Sequence, residues 1–258
     1  MSDVLVEKQG KILILTLNRP ESLNAFSEDM LIGLREQLQQ AGEDDSVKAI
    51  VIRGSGRAFS AGGDVKSMAS RTDITSLYEH VGHLNQCILT MQEVEKPIVA
   101  AVHGYAAGAG FNLALACDFI LASDESKFIL SFAQVGLISD GGGLHFLPKI
   151  LGPHKVKELF FLAEPITAKE ALALGIINRV VPIEELQDEV IIFAARLSQG
   201  PLKAYGKMKK LINESYQLTL EQVLERERLT QMLMAETEDH KEGVTAFNEK
   251  RTPIFRGK

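Results

Sequence analysis

Apolar residues recur along this chain with two periods, and the switches between them lay out its elements. Val4–Lys8 and Lys11–Leu17 flank Gln9-Gly10 and read as two strands about a tight turn. Asn18 to Ala25 is polar and holds Pro20, hence a loop. Leu31, Leu34, Leu38 and Ala41 then recur at spacings of three and four. They predict a helix capped by Ser27, with Glu28 and Asp29 in its first turn and its end at 42–45. Lys48–Arg53 reads as a buried strand that runs into the loop Gly54–Asp64, and His83–Val94 as a helix entering the apolar strand Ile98–Val102. Phe119–Ala122 and Lys127–Leu130 follow as short strands, then a loop over 136–143 and a helix over Lys155–Leu162. Ile166–Ala171 reads as a small capped helix ending near Gly175, and Ile176–Val181 as one more strand. From Glu184 the pattern is helical to the end, interrupted at Gly200-Pro201, between Asn213 and Tyr216, and near Asp239. The expected division is therefore a mixed α/β core over 1–182 and a helical region over 183–258.

Composition narrows the class. With 45% hydrophobic and 24% charged residues the chain is ordinary globular material. A net charge of -6 argues against nucleic acid or an anionic membrane as the main partner, yet a few local cations suffice to hold a phosphate-bearing ligand. Cys87 and Cys117 sit in apolar helical patterns without metal-ligand spacing, as buried reduced thiols do. No signal-peptide pattern opens the chain and no apolar run spans a bilayer, so the expectation is a soluble cytoplasmic protein.

Three stretches carry candidate chemistry. Ile98–Val102 feeds the small-residue turn Gly104–Gly110 and then a helical pattern from Phe111. Unpaired N–H groups at such a strand-to-helix turn, and the adjoining helix dipole, favour negative charge. The N–H of Ala109, between Gly108 and Gly110, is a candidate oxyanion donor; equally, small residues there let a helix pack tightly on a strand. Ala61-Gly62-Gly63-Asp64 is a second turn of the same type, with Asp64 as an alternative helix cap. Asp140 lies between Leu137-Ile138 and three glycines. In an apolar pocket its pKa would rise enough for proton transfer near neutral pH, while Asp-Gly is also a common turn. His103 and His145 have no nucleophile partner at recognisable spacing and are read as structural, and Lys207-Lys209-Lys210 as a solvated helix face.

In this order and spacing, several of these pieces resemble the enoyl-CoA hydratase/isomerase (crotonase) superfamily over nearly the whole chain. They are Leu17 to Pro20 with Asn24-Ala25, Arg57 to Asp64, Lys96 to Gly104, Asp118, and Ile166-Thr167-Ala168 with Glu170-Ala171 and Gly175. The resemblance implies a spiral of strand–strand–helix units, and a C-terminal helical region that builds trimers, often paired into hexamers. It implies a coenzyme A thioester substrate, with CoA part of the substrate and no metal or redox cofactor. It maps the two N–H groups that hold the thioester carbonyl onto Gly63 and Ala109. Ala25, Ala61, Asp64, Val65 and Lys66 map to the CoA lining, and Gly108 and Gly110 flank the acyl site. Phe255 and Lys258 resemble residues that close over CoA, sometimes from a neighbouring subunit.

Departures from the family pattern bear on the reaction. Hydratases of the family carry two glutamates, and the matching positions here are Asn112 and Phe132. Asp140 instead falls where dienoyl-CoA isomerases carry an acidic residue. The stretches Ala107–Gly110, Gly136–Asp140 and Glu242–Phe247 match best the subgroup of ring-epoxide isomerases of phenylacetate breakdown. The resemblance thus implies an acyl-CoA isomerase. A hydratase using Asp140, a non-catalytic acyl-CoA- or RNA-binding relative, and nucleophilic attack by Asp140 stay open beside it. Phe111, Phe132, Ile138 and the stretch 67–79 are the expected acyl lining.

Overall fold

The two opening strands form as the pattern predicts. In the computed structural model, which describes residues 2–64 and 74–258, β1 (Val4–Gln9) pairs antiparallel with β2 (Ile12–Leu17). Ser27 caps α1 (Glu28–Glu43): its hydroxyl accepts from the Met30 N–H, and Leu31, Leu34, Leu38 and Ala41 are buried together with Met30. From β2 onward the main sheet is parallel, through β3 (Ala49–Gly54), β4 (Ile98–Val102), β6 (Phe119–Ser123) and β9 (Arg179–Val181), in the order β1-β2-β3-β4-β6-β9. A second sheet joins β5 (Tyr105–Ala107), β7 (Lys127–Ile129) and β8 (Ile166–Thr167).

Both faces of the main sheet are covered, which explains why β2 and β4 are buried end to end rather than alternating. Ile50 and Ile52 face the larger apolar cluster, beneath α1 and α2 (Ile74–Glu93). Ala49 and Val51 face the other way, onto Leu186, Val190 and Ala194 of the helix Leu186–Ser198. That helix opens the helical region, yet it packs on the sheet.

The connections differ from the expectation in the helix that follows the 136–143 loop. The helix expected over 155–162 spans Gly143–Leu162 but is broken at Gly152 (φ 72, ψ 167), directly before Pro153. Pro148 and this break hide the first half from a periodicity reading. Gly143–Leu162 is α4; the short helices are α3 (Ala109–Leu115) before it and α5 (Ala168–Ala173) after it, the last held by a reciprocal cap between Thr167 and Glu170. With Leu186–Ser198 as α6, the chain ends in α7 (Leu202–Ser215), α8 (Leu220–Ala235) and α9 (Glu238–Glu249).

The basic cluster on α7 is not simply a solvated face. Lys209 is 9% exposed in its side chain and pairs with Asp118 at 2.9 Å, whose carboxylate also accepts from the Ile98 N–H at 2.8 Å. Burial pushes the Asp118 carboxyl up, and Lys209 pulls it back down. Replacing Lys209 by Met strands Asp118 without its cation, so a loss of about 3 kcal/mol is expected in denaturant unfolding. An unchanged midpoint would make the pair energetically idle. Cys87 and Cys117 are buried and unbridged; burial raises both thiols, Cys87 to about 12.

Candidate active site

β3 and β4 are parallel neighbours, so both release their chains at the same edge of the sheet. The segments that leave them stay laced together. Phe59 donates to His103 O (2.8 Å), Ser60 to Tyr105 O (3.1 Å) and Ala107 back to Ser60 O (2.9 Å). This lacing carries the 61–64 turn onto the start of α3. Gly62 takes φ +79, and a Cβ there would come within 2.5 Å of Ala107 O and 2.7 Å of Ala109 N, so only glycine fits. Gly110 likewise packs against Ser60 too closely for a side chain. The structure therefore brings Ala61, Gly63, Gly108, Ala109 and Gly110 together. Among the described residues, neither the Gly63 nor the Ala109 N–H donates a hydrogen bond. Ala109 opens a helix, where such an N–H carries partial positive charge.

Ala25 and Asp64 join this edge through Arg19, a residue of the Leu17–Pro20 piece to which the sequence reading gave no role of its own. Arg19 donates through Nη1 to Ala25 O (2.7 Å) and reaches the Asp64 carboxylate through Nη2 (3.4 Å). Asn24, fully buried at φ 56, donates to Ser55 O and Ala58 O, both at 2.8 Å, and holds the loop shut. In the sequence it stood out as part of the Asn24-Ala25 piece of the family resemblance and as an Asn in a proline-bearing loop, with no structural role attached. Val65 and Lys66 lie outside the described residues, as does 67–73 of the stretch expected to line the acyl group.

Asp140 stands in the turn between β7 and α4. Its Oδ1 is buried and, among the described residues, has no hydrogen-bond partner. Burial pushes the carboxyl up to about 6. The turn is tied to α3 through Asn112, whose Nδ2 donates to Asp140 O (2.6 Å) and Ser139 Oγ (3.0 Å). Asn112 lies three residues after Ala109, on the same side of the helix and roughly 4.5 Å along it, so Asp140 is held near the helix start. Phe132, 9% exposed, lays its ring beside Gly108 and adds an apolar wall. Phe111 packs into the core against Phe128 (4.9 Å), and Ile138 is exposed.

Within one chain the tail does not reach this edge. Phe255 packs beside Gly243 of α9, the Lys258 carbonyl accepts from the Asp239 N–H, and Gly257 sits by Lys48. Lys48 precedes β3, at the opposite end of the sheet from the 61–64 turn. His103 binds Gly56 O through Nε2 (2.9 Å), and His145 meets Lys149; both are structural contacts.

The model of the enoyl-CoA hydratase/isomerase family matches residues 7–258. The chain is 36% identical to the 1,2-epoxyphenylacetyl-CoA isomerase of Escherichia coli K12, with all of both chains aligned. It is 34% identical, again over both whole chains, to the 2,3-dehydroadipyl-CoA hydratase of the same strain. Among solved structures it is similar to an enoyl-CoA hydratase from Polaromonas sp. JS666, with a TM-score of 0.95, 34% identity, and coverage of 98% of this chain and 99% of that one.

Proposed function

The chain belongs to the enoyl-CoA hydratase/isomerase family, and on that premise we propose that it isomerises an acyl-CoA thioester, with Asp140 carrying the proton. The observation that carries the reading is Asp140 itself: an acid raised to about 6, half-buried, with a buried oxygen that has no partner among the described residues, in a turn tied to α3. The N–H groups of Gly63 and Ala109, which donate no hydrogen bond among the described residues, polarise the thioester carbonyl and stabilise the enolate that forms when a proton leaves the neighbouring carbon. Each such donor contributes roughly 3 kcal/mol in enzymes where one has been removed. Asp140 takes that proton and returns it to another carbon, and the double bond moves. The proton count closes on this one group, so no metal or redox cofactor enters the scheme.

Asn112 and Phe132 support proton transfer within the substrate over addition of water, because neither side chain activates water or delivers a proton. A hydratase working through Asp140 is the second reading, favoured by the hydratase among the relatives at 34% identity. The same proposal includes self-association in the cytoplasm as a trimer or hexamer. α8 buries none of its residues in the single chain, and Phe247 of α9 is 84% exposed, so these helices present apolar surface to a second copy.

Proton NMR in deuterated buffer with a 3-enoyl-CoA tests the reaction. A 2-enoyl product, without a 3-hydroxyacyl product, is the expected outcome; a 3-hydroxyacyl product would overturn the isomerase reading in favour of the hydratase. The pH profile follows from the same carboxyl. Asp140 accepts a proton only when ionised, so kcat/KM is expected to fall about tenfold per pH unit below about 6 and to level off above it. A profile flat down to pH 4 would take the base role from Asp140.

A further inference from the structure

The Asp140 turn is built around a buried amide. Asn112 is fully buried in the middle of α3, a position where Asn is a poor helix former and where an amide costs stability unless it is hydrogen-bonded. Both of its N–H donors are spent on the turn, one on the backbone carbonyl of Asp140 and one on the Ser139 hydroxyl, which itself donates to Asp140 O at 3.3 Å. These two acceptors fix which end of the amide is nitrogen. Its Oδ1 is left buried without a partner among the described residues, a cost the site tolerates. The backbone closes over the amide as well. A Cβ on Gly141 would meet Asn112 Cβ at 3.3 Å, and one on Gly143 would come 2.7 Å from Asn112 Cγ, so Gly143 admits no side chain.

We infer that Asn112 is a positioning residue: its amide holds the Asp140 peptide against α3 and so fixes the orientation and partial burial of the carboxyl. The inference rests on the isomerase reading for its effect on rate, but not for its effect on the carboxyl. With the carbonyl pinned by two donors, the Asp140 peptide cannot rotate toward solvent. The turn otherwise has three glycines in succession, Gly141 to Gly143, and little of its own to hold it. Asn112 acts through Asp140 and exchanges no proton with substrate.

The test is a titration of Asp140 in the full chain, by NMR of protein labelled with 13C at the aspartate carboxyls. The Asp140 signal is assigned by its loss in Asp140→Asn. The expected midpoint is about 6 in the wild type. In Asn112→Leu, similar in size but without donors, the turn loosens and the midpoint moves about one pH unit or more toward an ordinary carboxylate. In the same variant kcat falls about 10- to 100-fold with KM little changed, because the acid is misplaced rather than the substrate. Asn112→Ser keeps one donor and gives a smaller change in the same direction, and it serves where the Leu variant does not fold. Leu113→Ala, which opens a cavity in the core under the same helix and keeps the Asn112 amide, lowers stability without moving the midpoint. An Asn112 variant that folds and leaves both midpoint and kcat unchanged overturns the positioning role. If Asp140→Asn stays active, the isomerase reading falls, while the titration still decides whether Asn112 holds the turn.

Discussion

Asp140→Asn is expected to lose the proposed isomerase activity by at least about 10³-fold while becoming more stable at pH 7. The first half follows from chemistry. An amide of the same shape accepts no proton, and general acid–base groups contribute up to about 10⁴-fold where nothing replaces them. The second half follows from burial. In the folded chain the carboxyl sits at about 6, against an ordinary value of 3.8, so the fold binds the proton more tightly than the unfolded chain does. Stability contributed by this group is therefore present in full below about pH 4, declines as pH rises through the interval, and is gone above about pH 6. At about 1.4 kcal/mol per pH unit, the charged carboxylate costs the fold up to about 3 kcal/mol at neutral pH. Asn removes that cost. Thermal unfolding of the two proteins should show the variant several degrees higher at pH 7 and the gap closing by pH 4. A variant that keeps its activity ends the proposed mechanism; one that is dead and also less stable at pH 7 would mean the pocket is wetter than the geometry indicates.

The sheet was legible because its residues leave no other use for themselves. The apolar runs of β2, β3 and β4 lie between punctuating residues such as Gly10, Gly54 and Pro97, and Ser27 marks the start of α1. The capped helix at Thr167 was equally plain, since the Thr-x-x-Glu spacing is itself the interaction. Less was legible where partners come from distant parts of the chain. Lys209 looks like any surface lysine on α7 until Asp118, 91 residues earlier, is placed beside it. Arg19 has the same history with Asp64, and Asn112 with Asp140. Asn112 was read by what it lacks, the carboxylate of a hydratase, whereas its donors are what matter in the fold. The turns at Gly63 and Ala109 were visible singly. That they meet at all depends on the parallel register of β3 and β4, and no local pattern states that register.

Gly62→Ala is the substitution expected to damage the proposed oxyanion site most, and a control isolates how. Two effects act on the new methyl group. Backbone at φ +79 disfavours any L side chain by roughly 1–2 kcal/mol. The methyl would also approach Ala107 O, Ala109 N and Gly110 N at 2.5 to 3.0 Å, so the 61–64 turn and the start of α3 must move apart. Gly10 separates these effects. It has φ +60 in the β1–β2 turn, with nothing within 4 Å of a Cβ. Gly10→Ala should thus lose roughly 1 kcal/mol of stability and keep its activity. Gly62→Ala should lose more stability, and kcat/KM should drop about 10²-fold or more, because two donors meet a developing oxyanion only while both turns stay in register. The loss should fall on substrates whose carbonyl must become an enolate, with simple binding of CoA itself much less affected. If Gly62→Ala instead matches Gly10→Ala in both stability and kcat/KM, then the Gly63 and Ala109 N–H groups are not the oxyanion donors, and the carbonyl must be held elsewhere.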